Sequence, residues 1–352
     1  MGTKEHNRKA DGDDALGRTA TMQDIARASG VSQSTVSRVL NDAATTVPIA
    51  AVTRERVLEA ADRLGYRPNP LARGLRGAKT MLLGIIVREI SDPFFATAVE
   101  AVSLRARERG YNVVLGSAHS EAHEAIQLHA VLETRHCDAI IVLGDMRDQP
   151  RLLDDLSASK VPVVALWTGR TRAGIDTVNV DNRAGVALGI DHLHALGHRR
   201  IGFIGESQHG DVQEREAAFV ERLTELGVVV DEDLIVPAVT DPGAGADAFR
   251  RLFGAAHPPT AVVTATDNIA IGVLHAAYAL RLAIPEQVSV VGFDDIPLAA
   301  FTAPPLTTVR NPVGEMANLA VDLAIDRPSS EPVHHLLAPS FTVRATTGPA
   351  PG

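Results

Sequence analysis

The apolar positions of this chain follow two different patterns. Near the N-terminus they recur at the spacing of an amphipathic helix, as Met22, Ile25 and Ala26 do. From Met81 onward they form short, nearly continuous runs, and stretches of ten to sixteen residues with helical spacing separate most of these runs. The sequence therefore predicts a small all-α head followed by a larger α/β body.

Capping signals divide the beginning of the head into two short helices. Thr21 can accept a hydrogen bond at the start of the first helix, and Asp24 is placed as the reciprocal partner of a capping box. Gly30 supplies a tight turn, and Ser32 can cap the second helix. Two helices that meet at so tight a turn indicate a helical hairpin.

The second helix has an apolar side and a polar side. Val36, Val39 and Leu40 lie on the apolar side. The polar side carries amides, hydroxyls and one guanidinium but no carboxylate, and its residues are Gln33, Ser34, Ser37, Arg38 and Asn41. Such a face suits the base edges and phosphates of a DNA major groove, although polar helix faces are common and a solvated hairpin is the alternative. The pattern favours a helix-turn-helix.

A third helix and a basic segment complete the head. The helix is expected to begin at Thr53 and to end at Gly65, with an inward face made of Val57, Ala61 and Leu64. Asn69 and Pro70 favour a further helix start in residues 67–77, but so short a helix is not stable alone in water. The segment is basic and carries two leucines, so a DNA minor groove could order it, with a leucine wedged between base pairs.

The body predicts parallel sheets. Its candidate strands are MLLGIIV (81–87), YNVVLG (111–116), AIIVL (139–143), VPVVAL (161–166), RIGFIG (200–205), LIVPAV (234–239), TAVVTAT (260–266) and VSVVGF (288–293). Nearly continuous apolar strands joined by helices are typical of sheets covered on both faces. Roughly 265 residues are too many for one core, so we expect two lobes, with DTVNV (176–180) as a crossing point.

Charge and composition support this division. The net charge is −9, but residues 1–80 hold 13 basic against 9 acidic side chains, whereas residues 81–352 hold 21 against 34. A basic head on an acidic body directs DNA affinity to one end of the chain. The single cysteine, Cys137, excludes a disulfide framework, suits a reducing cytoplasm and is expected to be a small buried apolar residue.

The N-terminus gives no sign of a membrane or secretion signal. No stretch of eighteen apolar residues occurs, and residues 1–18 are polar. We therefore expect a cytoplasmic protein without membrane contact, in which residues 1–18 form a flexible tail.

A small-molecule site is expected between the two lobes. Ligands of open parallel sheets bind beyond the carboxyl ends of the strands, and two facing lobes form a cleft there. The side chains predicted to contact the ligand are Phe94, Phe95, Ser117, Trp167, His209, Asp211, Arg215, Thr240, Thr266 and Asp294. Aromatic rings beside Arg215 and Asp294 suit a flat or sugar-like ring. The alternatives stay open: Phe94 and Phe95 could be core residues, and Asp267 could cap a helix or meet the ligand.

No catalytic or metal-binding pattern stands out. His192, His194 and His198 point in different directions on a helix, so solvated or capping histidines are favoured over a zinc site. The run GFIGES does not fit a dinucleotide fingerprint, and neither G-x-S-x-G nor H-E-x-x-H occurs. We expect no enzyme activity, no cofactor and no metal.

From about residue 19 to 345 the chain resembles the LacI/GalR family of transcriptional repressors. The likeness is carried by T-M-x-D-I-A-x-x-S-G-V-S-x-x-T-V-S-R-V-L-N and by L-G-Y-R-P-N-P-L-A-R-G-L. It implies base contacts from Gln33, Ser34 and Arg38. It implies phosphate contacts from Ser32, Thr35, Ser37 and Asn41, and a minor-groove hinge with Ala72, Arg73 and the wedge Leu75.

The resemblance also bears on the cleft, and it has departures. Arg215 in Q-E-R-E-A-A-F matches the arginine that clamps the effector in the family, and Asp294 in G-F-D-D-I matches a cleft aspartate. Trp167 stands where sugar-binding relatives often have a carboxylate, and Thr266 where an asparagine is frequent. The loop DAATTVPIAAV has eleven residues, longer than is usual in the family, so its phosphate contacts are not carried over.

The resemblance implies a helix-turn-helix head on a two-lobed body like that of the periplasmic binding proteins. The expected parts are a tail (1–18), a DNA-binding domain (19–66), a hinge (67–80), a first lobe (81–178 with 308–335) and a second lobe (179–307 with 336–348). The expected function is that of a dimeric, sequence-specific regulator, a repressor that binds a near-palindromic operator and responds to a small effector. The alternative is a soluble two-lobed ligand-binding protein without a DNA role.

Overall fold

The computed structural model describes residues 20–40, 48–66, 79–118, 137–146, 150–169, 173–205, 210–327 and 331–352. The chain divides into two compact units, Met1–Ala78 and Lys79–Gly352. We refer to them as the head and the body.

The head contains three described helices, α1 (Met22–Ser29), α2 (Gln33–Leu40) and α3 (Ala51–Arg63). The predicted capping box is present, since Thr21 Oγ1 accepts a hydrogen bond from the Asp24 amide at 3.3 Å and Asp24 Oδ2 accepts one from the Thr21 amide at 2.9 Å. Gly30 has a φ of 65°, and the Ser32 hydroxyl accepts a bond from the Thr35 amide at 3.2 Å. The predictions for the helical hairpin are confirmed.

The predicted start of the third helix is wrong by two residues. The Ala50 carbonyl already accepts bonds from the Thr53 amide (2.9 Å) and the Arg54 amide (3.1 Å), so the first turn closes upstream of Thr53 and without a side-chain cap. Leu64, expected on the inward face, follows the last helical residue and is 39% exposed, and Ala60 is buried instead.

The core of the head lies between the three helices. Its buried side chains are Ile25, Val36, Val39, Val57, Ala60 and Ala61. All three helices contribute to this core, so the orientation of α2 depends on packing against α1 and α3 as well as on its own caps.

The body contains two six-stranded sheets. The strands of the first sheet, in spatial order, are β11 (His334–Leu337), β5 (Asp176–Val180), β4 (Val163–Leu166), β3 (Ala139–Leu143), β1 (Leu82–Val87) and β2 (Asn112–Ser117). Those of the second sheet are β12 (Ser340–Thr342), β10 (Thr307–Arg310), β9 (Ser289–Asp294), β8 (Ala261–Thr264), β6 (Ile201–Ile204) and β7 (Ile235–Val236). All neighbours run parallel except β12, which is antiparallel to β10. The predicted α/β fold is confirmed.

Helices connect and cover these strands. In chain order they are α4 (Pro93–Glu108), α5 (Pro150–Ser157), α6 (Asn182–Ala195), α7 (Gly210–Glu225), α8 (Pro242–Phe253), α9 (Asp267–Ala279) and α10 (Val313–Asp326), with 3₁₀ turns at Glu232–Leu234 and Pro297–Phe301. The sequence between β10 and β11 forms α10, which packs against α4 and the first sheet.

The chain crosses between the lobes after β5, after β10 and between β11 and β12. These crossings lie two or three residues beyond the predicted boundaries, because each strand keeps its hydrogen bonds to the neighbouring strand up to its last residue. Residues 308–310, expected in the first lobe, pair with β9 in the second sheet. Residues 179–180 and 336–337, expected in the second lobe, pair with each other in the first sheet.

The histidine prediction is wrong for His198, which is neither solvated nor a cap. Its ring is fully buried, with Nδ1 2.9 Å from Thr260 Oγ1 and Nε2 3.1 Å from Ser289 Oγ and 3.0 Å from the Gly348 carbonyl oxygen. Burial holds the pKa of His198 below its usual value. The side chain thus joins β8 and β9 to the C-terminal segment, and nowhere in the described ranges do His, Cys, Asp and Glu gather as metal ligands would.

Two smaller observations concern expectations from composition. Cys137 is buried, as predicted, and burial together with nearby Asp138 raises the pKa of its thiol to about 11. Within the part of the chain that the structure describes, no helix has the length and apolar character needed to cross a bilayer.

Candidate DNA-binding face and interlobe cleft

The polar side of α2 is directed outward. Gln33, Ser34 and Arg38, the residues predicted to contact bases, are exposed, while Val36 and Val39 are buried against α1 and α3. The structure therefore leaves one amide, one hydroxyl and one guanidinium accessible on a single short helix. Their contact with bases stays a prediction.

Hydroxyl groups gather where α2 begins. Ser32 Oγ lies 2.7 Å from Ser34 Oγ and 2.8 Å from Thr35 Oγ1. Ser32 is exposed and Thr35 is half-buried at the N-terminal end of the helix, where phosphates are favoured, and Ser37 is half-buried further along the helix. Four predicted DNA contacts lie outside the described residues: Asn41, Ala72, Arg73 and Leu75.

Arg215 is the most extensively bonded side chain of the cleft. It is 2% exposed, and its guanidinium lies over the Phe293 ring at 3.7 Å. Nε donates to Asn182 Oδ1 at 2.9 Å, and Nη1 donates to the Ala265 carbonyl at 2.6 Å and, more weakly, to Asp294 Oδ1 at 3.4 Å. The predicted clamp is thus also an internal link of the second lobe.

Asp294 lies opposite Arg215 at the end of β9. Its Oδ1 also accepts a hydrogen bond from Asn311 Nδ2 at 2.9 Å. Burial raises the pKa of Asp294 well above its usual value, and the charge of Arg215 opposes that shift. Its φ of 118° is a strained conformation for a residue with a side chain, which the surrounding packing must hold.

Hydrogen bonds join Arg215, Asp294, Asn182 and Asn311, and they link the interior of the second lobe to two of the crossings between the lobes. Asn182 is the first residue of α6, directly after the crossing that follows β5, and Asn311 directly follows β10. Arg215 and Asp294 each bond one of these asparagines. The Arg215–Asp294 pair is therefore bonded to the chain at two of the crossings.

Phe94, Phe95 and Trp167 form one aromatic group in the first lobe. The Trp167 ring meets Phe94 edge to face at 4.9 Å between centroids and Phe95 at 6.5 Å. Trp167 is 1% exposed, and its indole Nε1 has no hydrogen-bond partner in the described structure. All three rings are core residues here, and contact with a ligand stays a prediction.

A cavity of about 510 Å³ adjoins this aromatic group. It lies between the starts of α4 and α10 in the first lobe and the chain that follows β9 and β10 in the second. Its walls include Phe94, Thr97, Asp294, Ile296, Arg310, Asn311, Glu315 and Arg344. The structure thus brings two predicted ligand contacts, Phe94 and Asp294, to one space, together with the Asn311 Oδ1 atom, which is buried without a partner in the described structure.

Asp211, Ser117 and Thr240 do not line this cavity. Asp211 lies at the start of α7, with Oδ2 3.9 Å from Arg215 Nη2. Ser117 ends β2, and its buried Oγ has no partner among the described residues. Thr240 is half-buried just before α8, and His209 lies outside the described residues.

Thr266 and Asp267 lie where β8 leads into α9. Thr266 caps α9, because its Oγ1 accepts a bond from the Ile269 amide at 3.4 Å. Asp267 instead accepts bonds from the Ile296 amide at 2.9 Å and from Thr308 Oγ1 at 2.6 Å. It joins α9 to the chain after β9 and to β10. Of the two alternatives left open for Asp267, the helix cap is therefore not formed, and its contact with a ligand, like that of Thr266, stays a prediction.

Replacing Asp267 by asparagine is expected to flatten the pH dependence of stability. Burial raises the pKa of this carboxyl to about 7. Between pH of about 4 and 7 the folded chain holds a proton that the unfolded chain has lost, so the free energy of unfolding falls as the pH rises, by up to about 1.4 kcal/mol per pH unit. Denaturant unfolding at pH 5 and pH 7.5 gives the change in the free energy of unfolding with pH, which is compared between the wild type and Asp267→Asn.

An asparagine at position 267 can imitate the protonated acid, since it can accept from the Ile296 amide and donate to Thr308 Oγ1. The exposed Asp247, changed to asparagine, is the control and should keep the wild-type slope. Equal slopes in wild type and Asp267→Asn would show that this carboxyl does not titrate as its burial demands.

Sequence reasoning did not include Arg88, Asn182 or Asn311 among the site residues. Each of them follows directly on, or within two residues of, the end of a strand, which is the rule that found the others. Polar residues at the crossings were the signal that could have identified the two asparagines.

Comparisons with known proteins agree with this architecture. Residues 21–69 match the profile of bacterial regulatory proteins of the lacI family, and residues 190–347 match that of the periplasmic binding protein-like domain. The chain is 37% identical over 309 residues to the HTH-type transcriptional regulator GalS of Salmonella typhimurium, covering 87% of this chain and 89% of the relative. It is 32% identical over 314 residues to the HTH-type transcriptional repressor CytR of Escherichia coli K12, covering 88% and 89%.

Solved structures give the same result. The fold matches a lac repressor dimer bound to operator and the anti-inducer ONPF with a TM-score of 0.84 at 26% identity, covering 94% of this chain and 100% of that one. It matches a complex of the transcriptional regulator CelR with cellobiose with a TM-score of 0.68 at 30% identity, covering 93% and 99%. The chain therefore belongs to the LacI family of DNA-binding transcriptional regulators.

Proposed function

We propose that this protein is a dimeric, sequence-specific repressor whose hold on DNA is controlled by a small molecule between the lobes of its body. The observation that carries the proposal is the polar side of α2, where Gln33, Ser34 and Arg38 are exposed while Val36 and Val39 on the apolar side are buried. A helix of this kind presents base-reading groups to a major groove while its packing fixes their orientation.

The groups on the polar side of α2 have separate roles in binding DNA. Gln33, Ser34 and Arg38 read base edges, and the side chains around the start of α2 grip phosphates. The hinge predicted at residues 67–80 becomes ordered in the minor groove, with Leu75 as a wedge. Two heads related by a dimer axis read the two halves of a near-palindromic operator.

The dimer is supported by exposed apolar side chains of the body and by the likeness to a repressor solved as a dimer on its operator. Phe301 is 81% exposed, although it belongs to the 3₁₀ turn after β9, whose neighbour Ala299 is buried. Further exposed apolar side chains are Ile90, Leu104, Leu115 and Leu298. Large exposed apolar side chains favour a second chain as their cover.

The effector is proposed to be a sugar or a related ring-shaped metabolite. A related regulator is described in complex with cellobiose, and the cavity here combines one aromatic wall with a carboxylate and an amide oxygen. Such walls pack against a ring and hydrogen-bond its rim. Trp167, at a position where sugar-binding relatives often have a carboxylate, favours a ligand with one apolar or flat side.

Changing Arg38 to alanine tests the DNA assignment. One good base contact discriminates by about 1–3 kcal/mol, so the preference for the selected operator over a scrambled duplex should fall about 5- to 150-fold. The operator is a duplex selected by the wild-type protein from a random palindromic pool, and the readout is a gel-shift titration at fixed salt. Full retention of the preference would contradict the assignment.

Arg27→Ala is the matched control for loss of charge, since Arg27 is an exposed arginine of α1 outside the polar side of α2. It should weaken binding to both duplexes equally. Ser37→Ala should also weaken both duplexes alike if that side chain grips a phosphate. Equal and weak binding of every duplex by the wild type would leave a ligand-binding protein without a DNA role.

A thermal-shift screen tests the effector assignment. Sugars, nucleosides and nucleobases are added one at a time, and a ligand present at 100 times its Kd should stabilise the body by about 2.7 kcal/mol. A hit must also change the affinity for the selected operator. Stabilisation without any change in DNA binding would separate ligand binding from control.

A further inference from the structure

The two lobes of the body meet at the start of α7. Asp145 lies two residues after β3 in the first lobe, and its Oδ2 accepts a hydrogen bond from the Gly210 amide of the second lobe at 2.6 Å. Both residues are buried. Because Gly210 is the first residue of α7, the first lobe supplies a hydrogen-bond partner for the N-terminal end of a helix in the second lobe.

Two further contacts converge on the same turn from other strands of the first lobe. Arg88, which follows β1, places Nη1 3.7 Å from Asp211 Oδ1. Gly169, which lies beyond β4, is so close that a Cβ built on it would lie 2.7 Å from the Gly210 carbonyl carbon and 2.9 Å from the Asp211 nitrogen. The backbones of the two lobes are therefore in contact at this point.

We propose that Asp145 is a positioning residue of the cleft: it caps α7 across the lobe boundary, so the first turn of α7 is fully ordered only while the lobes are in contact. The first amides of a helix lack partners within it, and a carboxylate there is favoured by the helix dipole. The first two turns of α7 carry Asp211 and Arg215. Lobe closure and the ordering of these side chains are then one event.

The regulatory role of this interlobe cap rests on the proposed control by an effector, because Asp211 and Arg215 are proposed effector contacts. The hydrogen bond from the Gly210 amide to Asp145 itself needs no ligand. A neighbouring helix shows the ordinary arrangement, since α8 is capped within its own lobe by Asp241, whose Oδ1 accepts from the Ala244 amide at 3.0 Å. Asp145 and Asp241 therefore form a matched pair of caps, one between lobes and one within a lobe.

Amide hydrogen exchange of the full-length protein, without DNA or ligand, tests the proposal. Asp145→Ala should speed exchange in the first turn of α7 about fivefold or more, the factor that corresponds to about 1 kcal/mol for a lost cap. Asp145→Asn keeps an acceptor oxygen and should stay near the wild type. Asp241→Ala should speed exchange at the start of α8 and leave α7 unchanged.

A distance measurement supplies a readout that a merely local cap would not move. Spin labels are placed at one exposed position in each lobe, with the substitutions Asp155→Cys and Leu188→Cys. The labelled protein is mixed with an excess of unlabelled protein, so that only distances within one chain are measured. Cys137 stays unlabelled, because burial raises the pKa of its thiol to about 11. Asp145→Ala should broaden the distance distribution, while Asp241→Ala should not.

Gly169→Ala forms a second, independent test, because its methyl group would press on Gly210 while Asp145 stays intact. It should lengthen the distance between the lobes and also speed exchange at the start of α7. Gly227→Ala is the control for backbone strain, since Gly227 has a similar φ (68° against 64°) but nothing within 4 Å of its added Cβ. It should change neither readout.

An unchanged distance distribution and unchanged α7 exchange in both Asp145→Ala and Gly169→Ala would overturn the proposal. The same holds if Asp241→Ala affects the distance as strongly as Asp145→Ala. Since no readout here involves an effector or DNA, such a failure leaves the proposed function standing. Failure of the effector screen, conversely, leaves the interlobe cap standing.

Discussion

Replacing Arg215 by methionine is expected to lower the free energy of unfolding of the body by about 3–5 kcal/mol. The substitution keeps an unbranched apolar chain but removes the guanidinium from a site that is 2% exposed. Asp294 then loses its opposing charge, and Asn182 Oδ1 and the Ala265 carbonyl lose a donor. Two buried acceptors without partners, together with a buried carboxyl that must either take up a proton or keep an uncompensated charge, are among the few defects that cost this much.

The measurement is denaturant unfolding followed by tryptophan fluorescence. Trp167 is the only tryptophan of the chain, so the signal reports the body and not the head. The control is the double variant Arg215→Met with Asp294→Asn, which removes the uncompensated carboxylate and tolerates the positive φ at position 294. It should recover part of the lost stability.

A loss below about 1 kcal/mol in Arg215→Met, with no recovery in the double variant, would contradict this account. Arg215 would then serve ligand binding alone. The expected result instead makes Arg215 both a structural link and a candidate effector contact. Any loss of effector response in this variant must therefore be read against its loss of stability.

Local rules explain why much of the fold could be predicted from the sequence. The capping box of Thr21 and Asp24 and the turn at Gly30 depend on residues within a few positions of one another. The parallel sheets follow from apolar runs such as 139–143, which form a strand buried along its whole length. Local patterns of this kind can be recognised from the sequence because local preferences agree with the global fold in natural sequences.

Contacts between distant segments explain what could not be predicted. His198 bonds Ser289 and Gly348, far along the chain, so nothing in its own neighbourhood indicates burial. Asp267 is held by Ile296 and Thr308 for the same reason. The rule of strand ends selects candidate residues along one edge of each sheet, but only the fold reveals which polar groups bond across that edge.

The same limit applies to the candidate cleft. Phe94 and Asp294 were expected in one site from strand ends and family resemblance, and the structure places both on one cavity. The interlobe contacts of Asp145 depend on how the lobes close, which no pattern within one lobe can indicate. The roles of these residues toward DNA and effector remain predictions that the variants above are designed to test.

Replacing Trp167 by alanine is expected to lower the free energy of unfolding of the body by about 3–5 kcal/mol. The indole is 1% exposed and packs edge to face against Phe94, and its removal leaves a cavity beneath the cleft. Because the variant lacks tryptophan, its unfolding is followed by circular dichroism, with wild type measured in the same way. Tyr278→Ala, at a side chain that is 83% exposed, is the control and should cost little.

Trp167→Phe separates the two roles of this residue. The indole Nε1 has no hydrogen-bond partner in the described structure, so the change to phenylalanine removes some side-chain volume but no hydrogen bond. The free energy of unfolding should therefore fall by less than about 1.5 kcal/mol. If the phenylalanine variant folds like the wild type yet loses the ligand-induced shift in melting temperature, the indole N–H contacts the effector. If Trp167→Ala is as stable as the wild type, the ring does not belong to the core and the packing argument fails. A stable phenylalanine variant with a full ligand response would make Trp167 a core residue alone, and Asp294 with Asn311 would then carry the polar recognition of the effector.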